Sequence, residues 1–323
     1  MGIGPSKVPL NGLAFVITGC DTGFGYETAL QLAASNSIVY ATCLTAAGVK
    51  NFEGLRTEQP NLYGTLRPYQ LDVTDWEACE RFGKLIEEQV QDGLFGLVNN
   101  AGINSGSYFS WSTITEIRKV MDVNYMGAVH MMKALMPSLR RFVTLNPTGH
   151  APRIVNITSV AGRTVAPIIP AYCASKHALE AMSDGVRMEL RHFGIRVAII
   201  EPWFASTPLV VGNEDGRSKQ IRERYESLPH REDYGKAFLD HHISRLKIPP
   251  PMTMEPIKVV RTIIRALQSQ EPRHRYVVGA MGAVSIFLYS FLPSWCSDRM
   301  VRLPVPPAAT VKNGRQGLLS WIP

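Results

Sequence analysis

The sequence is short of the signatures that would assign several function classes. No lysine follows its first glycine-rich turn in the Walker pattern, which argues against phosphoryl transfer. Its five cysteines, Cys20, Cys43, Cys79, Cys173 and Cys296, are odd in number, and no two have zinc-like spacing. They predict reduced, mostly buried thiols, not a disulfide framework or a metal site. Net charge is +7, but the cations are scattered and form no basic block interleaved with aromatics. Nucleic acid is therefore not an expected partner. The opening stretch MGIGPSKVPLNG has neither an apolar signal core nor an Arg-rich presequence pattern. The expectation is an intracellular protein, in the cytosol or on the cytosolic face of an organelle membrane, and not a secreted one. Gly2 and Ser6 do fit a myristoylation pattern. From Arg299 onward there is no acid, so residues 301–323 read as a basic tail, either solvated or touching anionic lipid.

What is present is an alternation. LAFVIT (13–18), IVYATC (38–43), FGLVNN (95–100), RIVNIT (153–158) and IRVAII (195–200) are apolar runs too short for helices and rich in Val and Ile. RPYQLD, ending at Asp72, and RYVVG (275–279) are weaker strand signals. Helical periodicity lies between them near 26–35, 75–91, 113–141, 171–193 and 255–268. Strand and helix in repeated alternation predict an α/β fold: a Rossmann-type, doubly wound parallel sheet of about seven strands with helices on both faces. Such a sheet binds ligands beyond the carboxyl ends of its strands. Residues 142–152 read as an exposed loop. The charged, helical stretch from Gly212 to Lys247, inside a segment of about 203–252, reads as a lid over the ligand edge.

The turn VITGCDTGFGYE follows the first strand and opens a helix. Gly19, Gly23 and Gly25 permit a tight turn and let backbone N–H groups approach a pyrophosphate at a helix N-terminus. With NNAG at 99–102 and YCASK at 172–176, this turn resembles the short-chain dehydrogenase/reductase family, in order and in spacing. The stretches GLFGLVNNAGI, NITSVAGR and IIEPWF are similar to the branch that holds retinol dehydrogenases, hydroxysteroid dehydrogenases and 3-hydroxybutyrate dehydrogenase. The resemblance implies a single dehydrogenase domain over 8–300, a homodimer or homotetramer, and a tetrad of Ser159, Tyr172, Lys176 and Asn124. It also implies dinucleotide contacts at Gly19, Asp21, Gly23, Phe24, Gly25, Asp72, Val73, Asn99, Tyr172, Lys176 and Thr207.

The chemistry agrees with that assignment. Residues four apart are neighbours on a helix, which puts Tyr172 beside Lys176. Oxidising an alcohol needs a base for the hydroxyl proton, and a free phenol with a pKa of about 10 is too weakly acidic to serve near neutrality. An adjacent ammonium and a nicotinamide cation would favour phenolate. By the resemblance, Ser159 bonds the substrate oxygen, while Asn124 holds a backbone kink and a water on the way to Lys176. The sequence departs from the family at Pro202-Trp203, where Pro-Gly is usual, so this loop runs differently or Trp203 walls the substrate pocket. CLTAAGVK, after the second strand, has no acid and no nearby Arg. Without a cation for a 2′-phosphate, NAD is expected over NADP.

The segment VAGRTVAPIIPA is nearly uncharged, and SYFSW (107–111), Trp203 and Phe204 add aromatics. This apolar wall suits a steroid, a retinoid or another lipophilic alcohol. The alternatives are 3-hydroxybutyrate, for which Arg163 and Lys236 would be the candidate cations, and a nicotinamide-binding regulator without catalysis. Residues 276–297 are uncharged and long enough to span a bilayer, but glycines, serines and Pro293 dilute them. A strand plus a helix, with a peripheral membrane contact, is the expectation there.

Overall fold

The computed structural model describes residues 7–145, 149–211, 214–229, 231–246 and 252–300. Gly2, Ser6 and the tail at 301–323 lie outside the described residues, as do parts of the 142–152 loop and of the lid segment.

Seven strands form one parallel sheet: β1 (Ala14–Ile17), β2 (Ile38–Cys43), β3 (Leu66–Gln70), β4 (Gly96–Asn99), β5 (Arg153–Ile157), β6 (Arg196–Pro202) and β7 (Arg275–Val278). Their order is β3-β2-β1-β4-β5-β6-β7. Every strand expected from the sequence is present, including the two weak ones. β3 tolerates Pro68 because it is an edge strand that pairs only with β2.

The central strands are buried on both faces, which is why they read as continuous apolar runs. Within β1 the side chains alternate. Phe15 and Ile17 enter one core with Ala29 and Leu32 of helix Gly23–Ala33 and Ile263 and Leu267 of helix Pro256–Gln268. Ala14 and Val16 enter the other, with Phe82 and Ile86 of helix Trp76–Gln89 and Met131 and Leu135 of helix Gly127–Leu145. Helix Ala46–Glu58 had no periodic signal; it is capped by the Thr45 hydroxyl, which accepts from Gly48 N–H at 3.0 Å.

The expected helix at 113–141 is divided. Ile114–Met121 opens on a capping box between Thr113 and Glu116. A π-helical turn, Asp122–Met126, then leads into Gly127–Leu145. The helix thus runs into the segment expected to be a loop. The segment expected to be a lid contains helices Glu214–Glu226 and Gly235–Leu246, which pack Ile221, Tyr225, Phe238 and Ile243 around the buried Trp111 in a third apolar cluster.

Candidate active site

A cleft of about 1020 Å³ opens along the carboxyl edge of the sheet. Gly19, Leu44, Asp72, Asn100, Ser159 and Trp203 line it, from the loops after β1, β2, β3, β4, β5 and β6 in turn. The strand order, not the strand direction, reverses between β1 and β4, and a doubly wound sheet binds its ligand at that point.

Each glycine of the first turn has a steric reason. Gly19 has φ +67°, and a Cβ there would lie 2.8 Å from the Ala101 Cα. A Cβ on Gly25 would lie 2.5 Å from the Asn100 amide nitrogen. The loops after β1 and β4 therefore touch backbone to backbone. Thr18 and Asn100 bind them together. The Thr18 hydroxyl accepts from the N–H groups of Asn100 and Ala101 at 3.0 Å each, and the Asn100 amide donates to the carbonyls of Thr18 at 2.9 Å and Gly19 at 3.0 Å. Neither residue's partner could be read from the sequence; the only signal was a hydroxyl placed where a strand ends. Helix Gly23–Ala33 begins at the cleft, and its N-cap residue Thr22 makes no side-chain cap. Its first N–H groups, the positive end of the helix dipole, stand beside the cleft and have no side-chain partner among the described residues.

Tyr172, Lys176 and Ser159 come together at one wall of this cleft. Ser159 ends the loop after β5, and its hydroxyl accepts from Ala161 N–H at 3.1 Å. Pro170 starts the helix Pro170–Leu190, with Tyr172 in its first turn and Lys176 one turn on. Burial pushes the Tyr172 phenol up to about 12, and a hydrogen bond with Ser159 opposes this. Lys176 is 3% exposed. Burial draws its ammonium down to about 8, with Glu180 acting in the other direction. The ammonium donates to the Ile157 carbonyl at 2.9 Å and stands 5.7 Å from the centre of the Tyr172 ring. The helical spacing thus makes the two residues neighbours, with the ammonium anchored on β5, and the shift of the phenol itself comes from burial, Ser159 and Cys173.

Asn124 sits in the π-helical turn. Its side-chain oxygen accepts from Ile103 N–H at 2.8 Å, and its amide donates to the Ile103 carbonyl and the Ser175 hydroxyl, both at 2.9 Å. A Cβ on Gly102 would lie 3.4 Å from the Asn124 oxygen and 3.5 Å from the Lys176 nitrogen, so both side chains face the same glycine. Ser175 joins this group without any motif having marked it.

The expected dinucleotide residues fall into two sets. Gly19, Asp21, Gly23, Phe24, Asp72, Val73 and Thr207 line the cleft, and Thr207 approaches Gly23 from across it. Gly25 and Asn99 stand behind the wall. Gly25 makes room for Asn100, while the Asn99 amide donates to Asn156 at 2.8 Å inside the sheet. Asn100, Ala101 and Gly102 are the residues of that motif that reach the cleft.

Trp203 continues strand pairing, with its N–H donating to the Val278 carbonyl at 2.9 Å. The positive φ falls on the partner strand, at Gly279 with +104°, where a Cβ would lie 2.9 Å from that of Trp203. The tryptophan thus needs no left-handed backbone, and its ring lies against the cleft, edge-on to Phe204. Arg163 does not enter the cleft wall; it is directed to the buried Glu201 at 3.8 Å. Lys236 is not part of the wall either.

Comparisons with known proteins identify the family and agree with the fold. The family model described as short chain dehydrogenase matches residues 14–218. Human retinol dehydrogenase 5 is 36% identical over 310 residues, covering 94% of this chain and 92% of that one. Bovine mitochondrial D-beta-hydroxybutyrate dehydrogenase is 32% identical over 83% of this chain and 77% of its own. Human 17-beta-hydroxysteroid dehydrogenase type 6 is 31% identical over 91% and 89%. Among solved structures, a short-chain dehydrogenase/reductase from Burkholderia phymatum in complex with NAD superposes with a TM-score of 0.68 at 21% identity, covering 93% of this chain and 99% of that one. The chain belongs to the short-chain dehydrogenase family and is an alcohol oxidoreductase.

Proposed function

We propose that this enzyme interconverts a lipophilic alcohol, of the hydroxysteroid or retinol class, and its carbonyl, using a nicotinamide dinucleotide. The observation that carries the reading is one cleft with two unlike ends. A glycine cradle beside an uncapped helix N-terminus suits a pyrophosphate. The opposite end holds a phenol, a hydroxyl and a buried ammonium beside Ile168, Ile169, Trp203 and Phe204.

The bound dinucleotide supplies the hydride acceptor for oxidation, and its oxidised ring adds a positive charge. The protein's part is the proton. In oxidation, the alcohol O–H proton passes to the Tyr172 oxygen as the carbinol hydrogen leaves with its electron pair, and the C–O bond becomes a carbonyl. Ser159 is a positioning hydrogen-bond partner for that oxygen. Lys176 stabilises negative charge at the phenol and offers its remaining protons to the ribose. Asn124 keeps the Ile103 backbone and Ser175 in register behind them. The pH-neutral ionisation of a phenol raised to about 12 requires positive charge beyond that of Lys176, so proton removal is coupled to dinucleotide binding.

The apolar wall supports the lipophilic class, as does the fact that Arg163 is engaged by Glu201. Arg224, a cation of the wall, is paired with Glu116. A panel of steroids, retinols and short hydroxy acids, run with NAD and NADP, tests this. Turnover of 3-hydroxybutyrate above that of every lipophilic alcohol would replace the reading. Tyr172→Phe should lower kcat at least 10³-fold while leaving dinucleotide affinity within a few-fold; equal turnover would sink the mechanism.

Among the described residues no helix is long and apolar enough to cross a membrane. Helix Ala280–Phe291 starts beside Trp203 and exposes Val284, Phe287 and Phe291, the last 75% exposed, with Trp295 beyond. This apolar face supports a peripheral membrane contact near the cleft. Phe287→Ser with Phe291→Ser should at least halve co-sedimentation with phospholipid vesicles, and unchanged sedimentation would remove the idea.

A further inference from the structure

Asp21 belongs to the glycine turn after β1, yet its carboxylate is spent on the end of β2. One oxygen accepts from Leu44 N–H at 2.8 Å. The other accepts from Thr45 N–H at 3.0 Å and from the Thr45 hydroxyl at 2.6 Å. Asp21 and Leu44 both line the cleft, on the side formed by the loops after β1, β2 and β3. In a doubly wound sheet, the end of β2 is where an acid distinguishes the adenosine ribose of NAD from the 2′-phosphate of NADP. Here that position, Cys43-Leu44-Thr45, has no acid.

We infer that Asp21 supplies the missing acid from the neighbouring loop and selects NAD against NADP. The inference rests on the dinucleotide reading above. Three features of the geometry act together. The donors with which the β2 turn could grip a phosphate, two backbone N–H groups and a hydroxyl, are already consumed by Asp21. A carboxylate has about four acceptor sites, and the three bonds leave about one, enough for a ribose hydroxyl to donate into; a phosphate dianion has no proton to give it. The wall's cations, Arg118, Lys119, Lys176 and Arg224, all come from segments after β4, so no cation from the loops that form this side offsets the repulsion between carboxylate and phosphate.

The test is equilibrium binding, read by the fluorescence of NADH and NADPH titrated into the full chain, with substrate absent. The wild type should bind NADH at least ten-fold more tightly than NADPH. Asp21→Asn keeps the shape and removes the charge; it should cut that preference at least ten-fold, mainly by tightening NADPH. Asp21→Ser gives a second route should the amide disturb the turn. Thr45→Val removes one donor and keeps the carboxylate, so its preference should equal or exceed that of the wild type. A wild type that binds NADH, with the same NADH-to-NADPH ratio in both Asp21 variants, overturns this inference alone. Equal affinity of the wild type for the two nucleotides also overturns it. A wild type that binds neither overturns the dinucleotide reading and the inference together.

Discussion

Lys176 owes its ionisation to its surroundings. Its ammonium is buried, is held by the Ile157 carbonyl, and ionises near 8 because burial disfavours the charged form. The Tyr172 phenol, pushed up to about 12, stays protonated across the same range and is ready to act as an acid in carbonyl reduction. The sign of the pH effect follows. Below about 8 Lys176 is charged and Tyr172 is protonated, which is the competent form for reduction; above it the ammonium is lost. The kcat/KM for the reduced dinucleotide, which reports the free enzyme, should be flat from pH 6 to 7 and fall toward ten-fold per pH unit above about 8. A profile flat to pH 10 would show that Lys176 retains its proton there.

Helix Glu214–Glu226 reaches the cleft. Leu209, Gln220, Ile221 and Arg224 form part of its wall. Trp111 holds the segment from below, 2% exposed and in ring contact with Tyr225, Tyr234, Phe238 and His242. Arg224 bonds Glu116, and the hydroxyls of Ser110 and Tyr234 share a hydrogen bond of 2.6 Å. Burial alone would raise the Glu116 carboxyl, but the Thr113 amide and Arg224 hold it below its ordinary range. This cluster is separate from the two cores on the sheet, so it can loosen without unfolding them. Trp111→Ala, which removes a side chain worth about 3–5 kcal/mol in a core, should expose the 208–246 segment to limited proteolysis. NADH affinity should change less than three-fold while KM for a lipophilic alcohol rises at least five-fold. Equal rises in both would mean that the segment also shapes the glycine cradle.

At the scale of the whole molecule, a buried carboxyl stands near the end of β6. Glu201 is 0% exposed, and two guanidiniums face its carboxyl. Arg275 approaches it at 3.5 Å and Arg163 at 3.8 Å, while Arg275 also bonds Glu180 at 2.9 Å and Asp184 at 2.6 Å. The group joins β6, β7 and helix Pro170–Leu190. Burial, and then the neighbouring Glu180, push Glu201 up to about 7 against the two guanidiniums. An acid raised on folding holds its proton better in the native state. The stability it contributes is present below about 4.5 and is lost as pH rises to about 7. Urea unfolding at pH 5, 6, 7 and 8 should show Glu201→Gln gaining on the wild type steadily across this window, whatever its starting stability. Parallel stability curves would mean that Glu201 is ionised in both states throughout.

Much of the architecture was legible because it rests on local pattern. Strands buried on both faces announce themselves as Val- and Ile-rich runs, and the alternation with helices dictates a parallel sheet. The glycine turn could be read from its place between a strand and a helix, while Ser159, Tyr172 and Lys176 were named from motifs that resemble the family's, in the same order and spacing. Other features had no local signal. Asn99 and Asn100 are adjacent in sequence, and only the sheet decides that the first points into the core and the second to the cleft. Trp203 in place of glycine made sense once Gly279 was found opposite it. Lys176 bonds a carbonyl 19 residues away, and Asp21 one turn of the next strand, 23 and 24 residues on. By itself the sequence determined the fold class and the chemical type of the site, because those depend on periodicity and on residues near one another in the chain. Tertiary structure decided which side chains face the ligand and which charges meet. Burial and long-range hydrogen bonds are properties of packed elements, and no stretch of chain contains them alone.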